Sequence, residues 1–243
     1  MSNLPELTVC LTACGRPWYS VLTLGALLNK VHYGGAKKFH IANGVDDNAE
    51  EMAHLEEILA GQNYSISRTN NLSAMMNSCA EVGGETWLVV LDDFVPRRFD
   101  ITSDVSFLVN HEHVGAVRMG RLAFWEHGPD EEVWARLWMQ GGQHWWVFDK
   151  HRTNHPYISA LNACLYHRRY WEAYGNLPDV APDNPGEAEV ELAKQFNANP
   201  DGPAVAVPMR FGQNGGADFF EPFWQLPSWR TNRYAATGGG RRM

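Results

Sequence analysis

The stretch LVVLDDF, residues 88–94, joins an apolar run of strand length to two adjacent carboxylates, Asp92 and Asp93. Like charges side by side repel each other, so their position directly after an apolar strand calls for an explanation. One interpretation is a strand end that opens into solvent. The other is a cation held at the carboxyl end of a sheet, where open α/β folds bind their ligands.

The residues before this stretch alternate between strand and helix patterns. Runs rich in apolar and branched residues at 7–14, 37–44, 64–69 and 86–91 predict four strands. Apolar residues three and four apart predict three intervening helices, with these inward faces: Val21, Leu24, Leu27, Leu28 and Val31; Met52, Leu55, Ile58 and Leu59; Leu72, Met75, Met76 and Cys79. Candidate helix-start residues before the second are Asp46, Asp47 and Asn48. This order predicts a parallel sheet with helices on both sides.

The pattern is less regular after residue 95. Residues 113–119 and 204–208 predict strands, and residues 168–174 and 187–197 predict helices. The segment 124–148 is rich in tryptophan and shows no clear period. Without an internal repeat, the sequence predicts a single domain over residues 1–236, with a regular half (7–95), an irregular half (96–236) and a flexible tail at 237–243.

Composition narrows the possible partners and location. The 243 residues carry a formal net charge of −8, which gives no general attraction to nucleic acid or to anionic membranes. No run approaches the length of a membrane span, and the first residues lack the pattern of a signal peptide, so we expect a cytoplasmic protein. The four cysteines have no paired spacing and fit reduced thiols. Arginines near the end could form a local basic patch: Arg210, Arg230, Arg233, Arg241 and Arg242.

Common nucleotide-binding motifs are missing from the regular half. The turn after the first strand, ACGRPW, is not a GxGxxG motif, and no phosphate-binding P-loop is present. A nucleotide on this sheet would therefore have to be held by strand ends and a metal ion.

Four segments occur in a particular order: LTACGRPWYSVLTLGALL, IANGVDDNAEE, TNNLSAMMNSCAEVGGETW and LVVLDDF. In this order and spacing they resemble the family-2-type glycosyltransferases with the GT-A fold. The likeness covers residues 7–95 well and extends more loosely to about residue 208. It implies an α/β fold with a Rossmann-like, mostly parallel sheet. It also implies a nucleoside diphosphate sugar, usually a UDP-sugar, lying across the ends of the first, second and fourth strands.

The resemblance assigns the nucleotide-sugar site to strand ends. It places Thr12, Ala13 and Arg16 at the border of the nucleotide. Asn43 stands where many relatives carry a base-binding aspartate, and an amide can also pair with the edge of a uracil. Asn71 lies on the ribose side by this interpretation, with a helix cap as the alternative.

The metal site implied by the resemblance is the DxD-like pair. Asp92 would lie near the ribose or the metal's waters, and Asp93 would bind Mn²⁺ or Mg²⁺ together with the diphosphate, as hard oxygen ligands do. Phe94 stands where a third acidic residue often occurs. No histidine follows His167 to complete a metal shell as in many relatives, and Asp218 is a candidate substitute.

Transfer to a hydroxyl acceptor also needs a general base. The segment NPGEAEVELAKQF resembles the family's Glu-Asp segment at a helix start, with Ala188 in place of the Asp. We expect Glu187 to be the catalytic base, with Glu189 as second choice and Glu191 also open. The alternative is that these carboxylates only complement the helix dipole.

Tryptophans can stack on sugars or fill a core. Trp145 and Trp146 are the candidates for an acceptor-side wall. The expected function is an inverting, metal-dependent glycosyltransferase using a UDP-sugar and an unidentified hydroxyl acceptor. The alternatives are a non-catalytic nucleotide-sugar-binding protein, the same enzyme class acting on hydroxymethylated bases of phage-type DNA, and a nucleotidyltransferase.

Overall fold

The computed structural model describes residues 4–44, 49–92, 94–96, 99–119, 135–151, 163–178, 186–208 and 220–222. The helices are α1 (Pro17–Lys30), α2 (Ala49–Ile58), α3 (Leu72–Val82), α4 (Thr102–Asn110), α5 (Arg168–Tyr174) and α6 (Gly186–Ala198). The strands are β1 (Leu7–Ala13), β2 (Val31–His32), β3 (Lys37–Asn43), β4 (Tyr64–Arg68), β5 (Thr86–Leu91), β6 (Phe94–Pro96), β7 (Phe99–Asp100), β8 (Val114–Arg118), β9 (Ala135–Gln140), β10 (Gln143–Phe148), β11 (Cys164–His167), β12 (Ala204–Pro208) and β13 (Phe220–Pro222).

A nine-stranded sheet forms the centre of the described structure, in the order β4-β3-β1-β5-β11-β8-β12-β10-β9. The first four strands in this order are parallel to each other. Strands β11 and β10 are antiparallel to both of their neighbours, while β8 and β12 are parallel to each other. The sheet is therefore mostly parallel, which confirms the predicted α/β class.

Helices cover both faces of this sheet. Apolar residues of α1, α2 and α4 form one core cluster with one set of strand residues, including Val9 and Leu11 of β1. Residues of α3, α5 and α6 form a second cluster with the other set, including Cys10. Because successive side chains of a strand point to opposite faces, β1 supplies both clusters and is buried along its whole length. This explains why its sequence is apolar on both faces rather than alternating.

The turns that follow the strands and helices have local causes. Gly15, after β1, has a φ of 72°, a left-handed conformation that glycine adopts without steric cost. Pro17 then occupies the first turn of α1, where a missing N–H costs no helical hydrogen bond. The predicted end of the second helix at Gly61 is also left-handed, with a φ of 81°. The predicted starts at Asp46, Asp47 and Asn48 lie outside the described residues.

Several elements were not predicted from the sequence. They are α4 and the strands β9, β10 and β11, besides the two- and three-residue strands. In contrast, β5, α5 and β12 have the predicted bounds, and β1, β3, β4, α3, β8 and α6 lie within one or two residues of them. Over the ranges given above, no helix is both long enough and apolar enough to cross a bilayer.

Candidate functional site

The site is built on the edge of the sheet where the parallel strands end. Strands β1, β3 and β5 are neighbours, and they finish there at Ala13, Asn43 and Leu91. Strands β8 and β12 run in the same direction, so Arg118 and Pro208 lie at the same edge. This carboxyl edge is where ligands bind in open α/β sheets.

Asp92 is fully buried directly after β5, and the loop after β1 wraps around its carboxylate. Oδ2 accepts hydrogen bonds from the backbone N–H of Cys14 at 3.2 Å and from Arg16 Nε at 3.1 Å. Oδ1 accepts from Arg16 Nη2, so the guanidinium grips both oxygens. Bidentate pairing of this kind is both strong and geometrically specific. It fixes the β1–α1 loop to the end of β5.

Two inward-facing hydroxyls of α1 extend this arrangement. Ser20 Oγ donates to Glu51 Oε1 of α2 and lies 3.5 Å from Asp92 Oδ2. Thr23 Oγ1 donates to the main-chain oxygen of Asp92 at 2.9 Å. Ser20, Thr23 and Glu51 are all buried. None of the three was predicted as a site residue. Ser20 and Thr23 fall in register with Leu24 and Leu27 on the inward face of α1, and this register is a signal that the sequence does contain.

These contacts give Asp92 a structural role, and its predicted place near the ribose or the metal's waters stays a prediction. A divalent cation on this buried carboxylate would lie next to the Arg16 guanidinium, and like charges repel. Asp93 lies outside the described residues, as does Asp218. Within the described ranges, no group of three or more His, Cys, Asp or Glu side chains could hold a metal ion. Phe94, at the place of a third acidic residue, is a buried core residue.

The predicted nucleotide-border residues of β1 differ in their access to a ligand. Thr12 and Ala13 are fully buried, and the carbonyl of Ala13 accepts from the N–H of Gly44 at 2.9 Å. Their side chains are enclosed in the sheet, and their predicted place at the border of the nucleotide stays a prediction. The next residues, Cys14 to Arg16, reach the surface instead. Arg16 keeps 26 % of its side chain exposed while it pairs with Asp92.

The two predicted asparagines also lie at this edge. Asn43 is buried at the end of β3, and its carbonyl accepts from the backbone N–H and the hydroxyl of Thr69 at 2.8 and 3.0 Å. Asn71 is the N-cap of α3: its Oδ1 accepts from Ala74 N–H at 2.8 Å, and its Nδ2 donates to Asn70 at 3.0 Å. The helix-cap alternative for Asn71 therefore describes its observed contacts. Base recognition by Asn43 stays a prediction.

The acidic segment forms the first turns of α6. Glu187 is exposed, Ala188 is fully buried in the second core cluster, and Glu189 is half-buried. Glu191 is also half-buried, with 29 % of its side chain exposed, and it pairs with the exposed Lys194. The position of the family's Asp is thus an inward-facing core position in this chain. The neighbouring Glu189 has the most enclosed surroundings of the two favoured candidates.

The two acceptor-side tryptophans lie on β10. Trp145 is fully buried; its ring stacks on Phe107 with centroids 4.2 Å apart, and its Nε1 donates to Asp104 Oδ1 at 2.9 Å. It fills the core, which corrects its predicted place in an acceptor wall. Trp146 points to the other face of β10 and is partly exposed, so its acceptor role stays a prediction.

No protein-family model and no curated protein sequence matches the chain. Solved structures do. The chain aligns with S. aureus TarS 1-349 at a TM-score of 0.59 and 11% identity, covering 89% of this chain and 60% of that one. The same TarS fragment in complex with UDP-GlcNAc gives a TM-score of 0.57 at 11% identity, with 89% and 58% covered.

A mannosyltransferase structure is similar to the same degree. The mannosyltransferase PcManGT from Pyrobaculum calidifontis, in complex with GDP-Man and Mn²⁺, aligns at a TM-score of 0.57 and 14% identity, covering 85% of this chain and 57% of that one. The chain thus spans about three fifths of the length of these structures. The likeness shows that the chain has the GT-A-type fold and confirms that part of the resemblance.

Proposed function

We propose that the chain is a glycosyltransferase that moves a sugar from a nucleoside diphosphate sugar to a hydroxyl acceptor, with inversion at the sugar carbon. The observation that carries the proposal is the fold: the chain aligns over most of its length with glycosyltransferase structures in complex with UDP-GlcNAc and with GDP-Man and Mn²⁺. A UDP-sugar is the favoured donor. The acidic first turn of α6 adds a source of general base, because α6 belongs to the same domain half as the acceptor side.

The donor's diphosphate would lie at the carboxyl edge, across the ends of β1 and β5. Arg16 is part-exposed there, and a guanidinium suits phosphate oxygens in charge and geometry. Asp92 contributes by holding Arg16 and the Cys14 backbone in place rather than by touching the donor. This support from a buried carboxylate is the kind of pre-organisation that precise positioning requires.

Asp93 is the residue that would hold Mn²⁺ or Mg²⁺ in this proposal. A bound divalent cation neutralises the charge that builds up on the departing diphosphate. The protein would then supply one carboxylate of the pair to the cation rather than two. This is typical of magnesium-type sites, in which phosphate oxygens are further ligands.

The reaction itself needs one base on the acceptor side. A carboxylate of α6, Glu187 or Glu189, takes the proton from the acceptor hydroxyl as its oxygen attacks the sugar carbon. The bond from that carbon to the diphosphate oxygen breaks on the opposite side. The products are the glycosylated acceptor, with inverted configuration, and the nucleoside diphosphate.

The proposal is tested by nucleotide binding and turnover. Calorimetry should detect UDP or GDP binding with Mn²⁺, and incubation with UDP-GlcNAc or GDP-mannose should release UDP or GDP. Asp93→Ala should lower turnover at least about 10²-fold, because neutralisation of the leaving group is lost. Asp201→Ala is the matched control, an exposed aspartate at the opposite, amino-terminal end of β12. A folded Asp93→Ala variant with full activity contradicts the metal assignment, and absence of nucleotide binding contradicts the whole proposal.

A second candidate is a nucleotide-sugar-binding protein without catalysis. It is favoured by one observation: the position of the family's second acidic residue is Ala188, packed in the core. Binding of UDP or GDP without release of product from any donor would support it over the enzyme.

DNA carrying hydroxymethylated bases is the least favoured acceptor. The arginines that suggest it, at positions 210 and beyond, lie outside the described residues. A filter-binding experiment at low salt decides this point, because non-specific DNA binding depends on phosphate contacts and is strongest there. Failure to retain DNA on the filter removes this acceptor.

A further inference from the structure

The hydroxyl of Ser20 lies between two carboxylates from different parts of the chain. Its Oγ donates to Glu51 Oε1 of α2 and is 3.5 Å from Asp92 Oδ2. Asp92 follows β5, whereas Glu51 lies in the first turn of α2. None of the three residues is more than 1 % exposed, so bulk water does not compete for these contacts.

Only one of the two carboxylates can receive the Ser20 proton at a time, because a hydroxyl carries a single proton. The oxygens of an O–H···O hydrogen bond are usually roughly 2.5–3.0 Å apart, and the separation of 3.5 Å from Asp92 Oδ2 is beyond this range. Glu51 is the nearer carboxylate and accepts the proton. Without Glu51, rotation about the Cβ–Oγ bond of Ser20 would turn the proton towards Asp92.

Asp92 Oδ2 already accepts two other hydrogen bonds. The donors are the Cys14 backbone N–H at 3.2 Å and Arg16 Nε at 3.1 Å, and a carboxylate oxygen has about two lone-pair directions. A third donor at this oxygen would therefore weaken one of the two existing bonds. Thr23 fixes the main chain of Asp92 separately, because its Oγ1 donates to the Asp92 carbonyl at 2.9 Å.

We propose that Glu51 is a positioning residue for Arg16. By accepting the Ser20 proton, Glu51 keeps a third donor away from Asp92 Oδ2. Both acceptor directions of this oxygen then remain for Arg16 Nε and the Cys14 backbone. The inference rests on the proposed function, in which Arg16 faces the donor's diphosphate, and deepens it by naming a residue outside the predicted site that sets the orientation of this guanidinium. Glu51 acts through other side chains and does not touch the donor.

The energetics of burial favour positioning over stabilisation. Burying a carboxylate costs free energy that an apolar contact between α1 and α2 would not, and apolar replacements of buried ionic groups are often neutral or stabilising. Glu51 and Ser20 nevertheless join the two helices next to the candidate site through a buried polar contact. Such a contact fixes a hydrogen-bond geometry, which an apolar contact does not.

Rescue by a second substitution separates positioning from a structural role. The probe is UDP with Mn²⁺, titrated by calorimetry into the whole chain. Glu51→Met removes the acceptor and should weaken UDP binding about tenfold, because the released proton turns to Asp92 and displaces a charge-assisted bond. Ser20→Ala removes that proton and should cost less than about threefold. Adding Ser20→Ala to Glu51→Met should restore the UDP affinity to that of Ser20→Ala alone.

The state of Arg16 can also be measured without a nucleotide. In protein that carries isotope-labelled arginine, the Nε–H signal of Arg16 is assigned by NMR through its loss in Arg16→Lys. Its chemical shift should move in Glu51→Met, because the bond from Nε to Asp92 Oδ2 is the one that the Ser20 proton disturbs. In the double variant, the signal should return to its position in Ser20→Ala.

Glu50→Met is the matched control, since Glu50 is an exposed carboxylate on the same turn of α2. It should change neither the UDP affinity nor the Arg16 signal. The free energy of unfolding is measured for every variant by urea denaturation. A merely structural Glu51 predicts that UDP affinity follows stability through the series. Positioning predicts that the double variant recovers affinity without recovering stability.

Each result decides the inference. Equal UDP affinities of Glu51→Met and Glu50→Met overturn it, and so does a double variant that binds UDP no better than Glu51→Met. If Glu51→Met does not fold, Glu51→Gln replaces it. An amide oxygen is a weaker acceptor than a carboxylate, so a loss of about threefold is expected, again removed by Ser20→Ala; failure of either result overturns the inference.

The outcomes for the inference and for the proposed function can be told apart. If the unsubstituted protein binds UDP, failure of the rescue leaves the proposed function intact. If it binds no nucleotide, the proposed function fails, and the Arg16 signal alone decides whether Glu51 positions this side chain.

Discussion

Asp92 shows, for a single residue, how one side chain can have a different role from the one its motif suggests. Its carboxylate closes a loop instead of facing solvent, because Arg16 and the Cys14 N–H occupy both oxygens. The two adjacent aspartates after β5 therefore have different roles. The first aspartate is structural in its contacts, and the second is left for the proposed cation.

Asp92→Asn should destabilise the fold. The substitution removes the negative charge that pairs with Arg16, and breaking a largely buried ion pair from one side leaves the other charge uncompensated. We expect a loss of about 2–3 kcal/mol in the free energy of unfolding, measured by urea denaturation.

The control is the surface pair of Glu6 and Lys38, 3.3 Å apart, with 47 % and 30 % of the side chains exposed. Glu6→Gln should change the free energy of unfolding by less than about 1 kcal/mol, because solvent screens exposed pairs. Equal stability of Asp92→Asn and the unsubstituted protein would show that Arg16 does not depend on this carboxylate.

His40 predicts a dependence of stability on pH. It is buried on β3, with Nδ1 2.9 Å from Ser65 Oγ and Nε2 3.1 Å from Ser67 Oγ. Burial lowers the pKa of His40 to about 4, from a usual value near 6.5. Between these two values the unfolded chain binds a proton that the folded chain does not, so stability falls as the pH falls from about 6.5 to about 4.

Urea denaturation across this window measures the effect. The contribution of His40 to the loss of unfolding free energy should approach about 3 kcal/mol by pH 4. His40→Gln, which keeps a polar side chain but does not titrate, should lose correspondingly less between pH 6.5 and 4. If both proteins lose stability in parallel, protonation of His40 is not the cause.

Among the helices, α3 is capped by Asn71, which is also a predicted residue of the nucleotide-sugar site. Asn71 caps its first turn, and Asn71→Ala should cost about 1 kcal/mol of unfolding free energy, as typical for loss of an N-cap. Asn71→Asp should retain most of the stability, because a carboxylate oxygen also accepts from Ala74 N–H. A drop in UDP affinity beyond about tenfold in Asn71→Asp, with stability retained, would instead favour the predicted ribose contact.

The strands and helices of the regular half could be predicted because each one leaves a pattern in its own short stretch of sequence. Strands buried on both faces produce continuous apolar runs, and helices packed on a sheet produce apolar residues at intervals of three and four. These patterns did not predict β9, β10 and β11, because the exposed faces or short length of these strands leave no distinct period of apolar residues. They also did not predict α4, whose end is fixed from a distance: Arg169 Nη1 donates to the carbonyls of Leu108, His111 and Val114.

The sheet edge that carries the candidate site could be predicted from the sequence, but the side-chain contacts within the site could not. The ends of β1, β3 and β5 lie together because parallel strands end at one edge, which the order of elements already implied. Which side chain pairs with which depends on packing between distant segments. Arg16 and Asp92, for example, lie 76 residues apart in the chain. No period or motif in the sequence encodes such pairs.

At the scale of the whole molecule, the sheet does not divide where the sequence pattern changes. Strand β5 of the regular half pairs with β11 of the irregular half, with Val89 opposite Cys164. Trp87 stacks on Tyr166 with ring centroids 5.9 Å apart and meets Trp171 edge-on at 6.2 Å. Both core clusters therefore take residues from both halves.

A fragment of residues 1–96 should consequently not fold by itself. Without β11 and α5, β5 becomes an unprotected edge strand, and the large apolar side chain of Trp87 loses its aromatic partners to water. In urea, the fragment should show no cooperative transition, while the full chain should unfold in one transition seen equally by far-UV circular dichroism and tryptophan fluorescence. A sigmoidal transition of the fragment, or two separated transitions in the full chain, would show two independent units and contradict the predicted single domain.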